Sequence, residues 1–133
     1  MKKTTKSYIL AVKGKRETGE TENERRNRIT RCIEALVENG SRSFVCVMNE
    51  EGVSVARCIC EVKKAYPDVT FDALIPYETV YADWDESLRD EFFDVIGQCE
   101  NESFFEHRYC DGLYQKMIDK LVNGTNHVIT VLI

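Results

Sequence analysis

Short apolar runs alternate along this chain with longer stretches whose apolar residues recur every three or four positions. Four of the runs are apolar enough to be buried on both faces, which is typical of strands in a parallel sheet. They cover residues 7–12, 44–48, 69–75 and 127–133. A shorter run at residues 102–106, which depends on Phe104 and Phe105, predicts one more strand.

The stretches between these runs predict amphipathic helices. In the first, Ile29, Cys32 and Ile33 follow the helical spacing of a stripe that packs against a sheet. Thr21 and Glu24 match a capping box at its start, and Gly40 is suited to end it. The predicted helices span residues 22–39, 53–66, 85–98 and 111–122.

Two boundaries concern the ends of the second and third strands. Residues 49–52 are predicted to form a turn before the second helix, and Asp83 with Glu86 matches a box that opens the third helix. Pro76 is expected to end the third strand, because proline has no N–H to give to the ladder.

Strand and helix alternate almost without exception, which requires parallel strands joined by right-handed crossovers. The fold class predicted is therefore α/β: a three-layer, Rossmann-like open parallel sheet of about five strands with helices on both faces. At 133 residues the chain is expected to form a single domain over residues 1–133.

Composition excludes several classes of function. A net charge of −5 argues against a nucleic-acid partner, which requires a concentrated basic surface. No apolar run reaches the length of a membrane helix and no signal peptide is evident, so no membrane association is predicted and the location expected is the cytoplasm. The six cysteines form no CxxC pair and mostly fall on apolar-periodic positions, which predicts small buried hydrophobes in a reducing compartment.

Candidate binding residues follow the predicted third strand. Tyr77, Glu78, Tyr81, Asp83 and Trp84 combine large rings with carboxylates at the carboxyl end of a buried strand, where open α/β sheets bind ligands. The alternative is that the rings cover the end of the sheet and the carboxylates are solvated.

The loops after the first two strands contain further candidates. Lys13, Gly14, Lys15 and Arg16 could bind an anion, since glycine allows close backbone approach and arginine gives bidentate contacts to phosphate; a solvated charged loop is the alternative. Glu50 and Glu51 follow the second strand and would repel a phosphate, although a helix N-terminus there would attract one. The usual nucleotide fingerprints, G-x-G-x-x-G and G-x-x-x-x-G-K-[ST], are absent, and His107 has no evident partner.

Three segments, followed by Trp84, resemble the YpsA-like branch of the SLOG superfamily: AVKGKR (residues 11–16), VMNEEGVSVA (47–56) and KKAYPDVTFDALIPYE (63–78). The resemblance covers nearly the whole chain and is strongest at YPD, IPYE and the tryptophan. That superfamily has a Rossmann-like fold and includes the cytokinin-activating LOG proteins and the DprA DNA-processing proteins.

The resemblance implies a ligand site on the residues that match the family's motifs. Several of the family's motif positions differ here. Lys13 and Lys15 replace a threonine and a histidine. Met48 replaces a glycine and is expected to obstruct the approach of a phosphate to the backbone, and Ser54 replaces an aspartate. The predicted ligand-binding residues are Gly14, Lys15, Arg16, Gly52, Ser54, Pro76, Tyr77, Glu78 and Trp84.

Three functions remain as hypotheses. The first is non-catalytic binding of a nucleotide-like or other small anionic ligand at the strand ends. The second, implied by the LOG relatives, is hydrolysis of a nucleotide N-glycosidic bond with Glu78 or Glu51 as the catalytic carboxylate. The third is a protein-interaction module anchored by Tyr77, Tyr81 and Trp84. A homodimer is expected from general frequencies and from relatives; neither a cofactor nor a metal site is predicted.

Overall fold

The computed structural model describes residues 6–12, 19–124 and 127–132 and confirms the predicted α/β class. Strands and helices alternate from the first element to the last. In chain order they are β1 (Lys6–Val12), α1 (Glu22–Glu38), β2 (Ser43–Val47), α2 (Glu50–Ala65), β3 (Thr70–Tyr77), α3 (Glu86–Ile96), β4 (Asn101–Glu106), α4 (Leu113–Asn123) and β5 (His127–Leu132).

The five strands form one sheet in the order β4-β3-β2-β1-β5, and every neighbouring pair is parallel. The chain moves outward from β1 to β4 and then returns across the sheet to place β5 beside β1. Because right-handed crossovers in opposite directions lie on opposite faces, α1, α2 and α3 cover one face and α4 covers the other. All strands end at the same edge of the sheet, so the loops that follow them lie together.

The main core lies between the sheet and the three helices of the first face. Strand residues such as Ile9, Phe44 and Phe71 pack there against Ile29 of α1 and Ile59 of α2, and all five are fully or almost fully buried. On the second face a smaller cluster joins Val47 to Met117 and Leu121 of α4. One helix is too narrow to cover five strands, and Tyr8, Leu10 and Val128 remain only partly buried at its side.

The second helix begins three residues earlier than predicted. Asn49 is its N-cap, because the Asn49 Oδ1 atom accepts a hydrogen bond from the backbone N–H of Gly52 at 2.8 Å. Glu50 and Glu51 therefore belong to the first turn of α2 rather than to a loop, and the predicted turn at residues 49–52 is wrong. Similarly, α3 is capped by Asp85, which accepts from the N–H of Leu88 at 2.8 Å, and not by Asp83.

Pro76 does not end the third strand, which continues to Tyr77 and pairs there with Glu106. The reason lies in the direction of the backbone groups. The carbonyl of Leu74 accepts from the N–H of Met48 on the β2 side, so two residues later the nitrogen of Pro76 also faces that side. Strand β2 has already ended at Val47, so the missing N–H costs no ladder hydrogen bond.

The predicted ends of α1 are confirmed. Thr21 and Glu24 form the complete capping box, and Gly40 follows the helix at φ +104°, a conformation that favours glycine. The cysteine prediction holds in part: Cys46, Cys58 and Cys60 are buried, but Cys32 is exposed and is not part of the inward stripe of α1. All six thiols are free, and burial raises the pKa of Cys60 to about 11, as expected for an unreactive thiol.

Within the described ranges, the helices are all too short or too polar to cross a membrane.

Candidate functional site

A crevice of about 420 Å³ lies where β2 and β3 end, at the edge of the sheet to which the sequence assigned the site. Its walls come from the start of α2, from the loop between β3 and α3, and from the first turn of α4. The lining residues are Asn49, Glu50, Glu51, Tyr77, Val80, Asp83, Trp84 and Tyr114.

Asn49 links the start of α2 to the end of β1 beside the crevice. While its Oδ1 caps the helix, its Nδ2 donates to the carbonyl of Ala11 at 3.4 Å, which joins the end of β1 to the start of α2. Residues 13–18 follow Val12 directly in the sequence. The predicted residues Gly14, Lys15 and Arg16 lie outside the described residues.

Gly52 is buried in the first turn of α2 and has a packing role. A Cβ atom at this position would lie 1.9 Å from the carbonyl oxygen of Val47, so only glycine allows the helix to approach the end of β2 this closely. Met48 is fully buried in the main core. Its side chain does not line the crevice, contrary to the expectation that it obstructs the approach of a phosphate. The glycine of this motif is therefore explained by the contact between helix and strand.

The loop after β3 folds into consecutive tight turns. The N–H groups of Val80, Ala82 and Trp84 each donate to the carbonyl three residues earlier. Trp84 is only 8% exposed and meets the Phe92 ring edge-on, with centroids 5.5 Å apart. The ring of Tyr81 likewise packs against Phe92 and Phe93 of α3.

These rings have contacts inside the molecule and also reach the crevice. The ring contacts of Tyr81 and Trp84 anchor the loop to α3, as a covering of the sheet end requires. Trp84 also lines the crevice together with Tyr77. Because Tyr81 and Trp84 are mostly engaged inside the molecule, they are poorly placed as anchors for a protein partner.

Glu78 is not among the residues that line the crevice. Its Oε1 atom lies 2.7 Å from Nδ1 of His107, in the segment after β4, and both side chains are largely exposed. Nearby, Tyr109 of the same segment meets Tyr77 edge-on with centroids 5.5 Å apart. His107 therefore has a partner, which the sequence did not reveal, and the pair ties the segment after β4 to the loop after β3.

The lining of the crevice is acidic. Glu50, Glu51 and Asp83 contribute three carboxylates, and among the described residues no lysine or arginine lines it. Burial, followed by the nearby Tyr77, Tyr109, Glu50 and Glu51, raises the pKa of Tyr114 to about 12. Burial and Asp83 also raise the pKa of Tyr77. Both phenols thus remain protonated donors at neutral pH.

Of the nine predicted ligand-binding residues, the structure places Tyr77 and Trp84 on the crevice wall. Ser54 is half-buried along α2, and Pro76 is buried in β3; neither is among the lining residues. The sequence missed Tyr114, which arrives from α4 on the opposite face, and the capping role of Asn49. An asparagine directly after a buried strand and before two glutamates was the available signal for that cap.

The described residues include no group of three or more histidine, cysteine, aspartate or glutamate side chains arranged to hold a metal ion. The arrangement offers instead flat rings for stacking, carboxylates that accept hydrogen bonds, and phenols that donate them.

Comparisons with known proteins leave the family open: no family model matches this chain, and a search of curated proteins finds no significant similarity.

Proposed function

We propose that the protein binds a nucleotide-like small molecule, without catalysis, in the crevice at the carboxyl ends of β2 and β3. The observation that supports this proposal is the combination of three aromatic side chains and three carboxylates around one concave site at this edge of the sheet. Binding sites of small molecules are concave, with few well-placed polar groups among apolar and aromatic walls.

The chemistry of the lining favours the nucleoside part of such a ligand. A flat base can stack on the rings of Tyr77 or Tyr114, and base–aromatic stacking contributes about 1–3 kcal/mol. Carboxylates such as Glu51 and Asp83 accept hydrogen bonds from sugar hydroxyls and exocyclic amines, as acidic residues do in dinucleotide sites.

The phosphate would lie toward the end of β1. Three carboxylates disfavour it inside the crevice, whereas the capped N-terminus of α2 attracts anions. Gly14, Lys15 and Arg16 follow β1 in the sequence, next to the strand end that Asn49 joins to α2. In this proposal these three residues provide the contacts to the phosphate.

The test is a titration of the protein with adenosine, AMP and ADP-ribose. Binding is measured by calorimetry and by the fluorescence of Trp84, the single tryptophan. We expect binding of the nucleoside to weaken at least tenfold in Tyr77→Ala and Glu51→Gln. Arg16→Ala should weaken AMP but not adenosine. Glu38→Gln, exposed at the end of α1, is the control that should change neither. Absence of heat and of fluorescence change with every compound would contradict the proposal.

Hydrolysis of an N-glycosidic bond is a second candidate, which now depends on Glu51. Glu78 pairs with His107 outside the crevice, whereas Glu51 is a half-buried carboxylate on its wall. If the protein is a hydrolase, nucleoside monophosphates release free base, and Glu51→Gln abolishes the release while Glu78→Gln leaves most of it. Base release that is unaffected by Glu51→Gln would exclude this mechanism.

A further inference from the structure

A second cavity, of about 730 Å³, lies on the other face of the sheet and at the opposite end of the strands. Helix α4 connects the two regions. Tyr114 in its first turn lines the crevice, whereas Lys120, Asn123 and Gly124 at its end line this cavity. The volume falls within the range of small-molecule sites, and the residues differ from those of the crevice.

The cavity lies between α4 and the first residues of β4. The helix directs Met117 and Leu121 at the sheet, but on this face β4 presents the small side chains of Asn101 and Ser103. These do not fill the space beside the helix. The interior wall is apolar and consists of Tyr8, Val45, Leu74, Phe105, Met117 and Leu121.

The charges at the rim add up to a single positive charge. Lys6 Nζ lies 3.0 Å from Asp72 Oδ2, and Asn101 Nδ2 donates to Asp72 Oδ1 at 3.3 Å, so both oxygens of Asp72 are engaged. Lys120 Nζ lies 5.8 Å from the centroid of the Phe105 ring, and no carboxylate of the described residues lies within ion-pair distance of it. The ammonium group of Lys120 is therefore available to an anion at the mouth of an apolar cavity.

We propose that this cavity binds a small carboxylate with an apolar body, such as a medium-chain fatty acid. The chain lies against Leu74, Met117 and Leu121, and the carboxylate accepts a charge-assisted hydrogen bond from Lys120. The net positive charge at the rim selects a carboxylate over an amine or an alcohol of the same length. The site is independent of the proposed nucleoside crevice.

The test is calorimetric titration of the full chain with octanoate, octylamine and octanol below their aggregation concentrations. We expect octanoate to bind at one site, at least tenfold more tightly than the alcohol or the amine. Equal affinity for octylamine, or no heat with octanoate, would overturn the proposal.

Two variants and a matched control locate the site. Lys120→Gln should weaken octanoate about tenfold while leaving octanol unchanged, because only the charge-assisted hydrogen bond is removed. Ser103→Trp fills the cavity from an exposed position on an edge strand and should abolish binding of both compounds. Lys116→Gln, an exposed lysine on the same helix but not on the cavity wall, should change neither. Unchanged octanoate binding in Lys120→Gln would contradict the role of Lys120 even if Ser103→Trp failed to fold.

Discussion

At the scale of single residues, Gly52 shows how a position suggestive of ligand binding can be determined by packing. We predict that Gly52→Ala destabilises the fold by about 3 kcal/mol, because its Cβ would lie 1.9 Å from the backbone oxygen of Val47 and neither strand nor helix can move freely. Equilibrium unfolding in denaturant measures the change.

The matched control for Gly52 is Gly97→Ala. Gly97 caps α3 at φ −62°, and a Cβ there would lie 3.4 Å from the nearest carbonyl oxygen. Alanine fits that backbone, so stability should stay the same or rise by about 0.5 kcal/mol. Equal effects of the two substitutions would show that the close approach of α2 to β2 is less rigid than described.

Tyr114 makes a second prediction at this scale, for alkaline pH. Its pKa is about 12 in the folded protein, against 10.0 for an unperturbed tyrosine. Between these values the unfolded chain loses its proton first, so the folded state binds more protons and stability falls as pH rises. Tyr114→Phe should flatten this loss, measured as the free energy of unfolding from pH 9 upward. An equally steep loss in the variant would exclude Tyr114 as a source.

Of the residues that line the crevice, several near the ends of β2 and β3 could be predicted, whereas Tyr114 of α4 could not. Tyr77 ends a strongly apolar strand and Trp84 follows it, so the sequence alone indicated that both lie near its carboxyl end. Tyr114 lies on a helix that reaches the same edge only because α4 crosses the opposite face. The pairing of Glu78 with His107 could not be predicted either, because it depends on a segment distant in the sequence.

At the scale of elements, the start of α2 depends on one side chain. Asn49→Ala removes both the cap on Gly52 and the contact with Ala11, and should cost about 1 kcal/mol. Asn49→Ser keeps an oxygen for the cap but loses the longer contact, so it should recover most of the stability. Thermal and denaturant unfolding of the wild type and the two variants distinguishes the two contributions. If Asn49→Ser is as unstable as Asn49→Ala, the contact with Ala11 of β1 is the dominant one.

The boundaries of elements were predictable where local chemistry decides them. Thr21, Glu24 and Gly40 stabilise the ends of α1 through contacts within a few residues, and the sequence located both ends within one position. The extension of β3 past Pro76 depends instead on where the neighbouring strand β2 ends. That information is tertiary and has no counterpart in the local sequence.

At the scale of the whole molecule, the two layers of helices differ in how firmly they are held. Eight of the 16 residues of α2 are buried, but only three of the 11 residues of α4, and β4 is an edge strand whose residues are mostly exposed. We expect backbone amides of α2, β2 and β3 to exchange slowest with deuterium and those of β4 and α4 several orders of magnitude faster. Uniform protection in exchange measured by mass spectrometry would contradict this difference.

The overall architecture followed from the sequence because alternation of strands and helices leaves few right-handed parallel topologies. The strand order did not follow, since nothing in the runs themselves states that the last strand returns to pair with the first. The cavity on the second face was equally hidden, because its walls come from four strands and from α4, which are distant in the sequence.

The pairing of β1 with β5 affects how the sheet is completed. The two strands pair from Ser7 and His127 to Val12 and Leu132, although 120 residues separate the first pair. On the ribosome, β1 is synthesised long before its second neighbour β5, so one of its edges has no partner while β2, β3 and β4 are made. We therefore expect this edge to be open to premature association with another chain, and the sheet to be completed only after synthesis of β5.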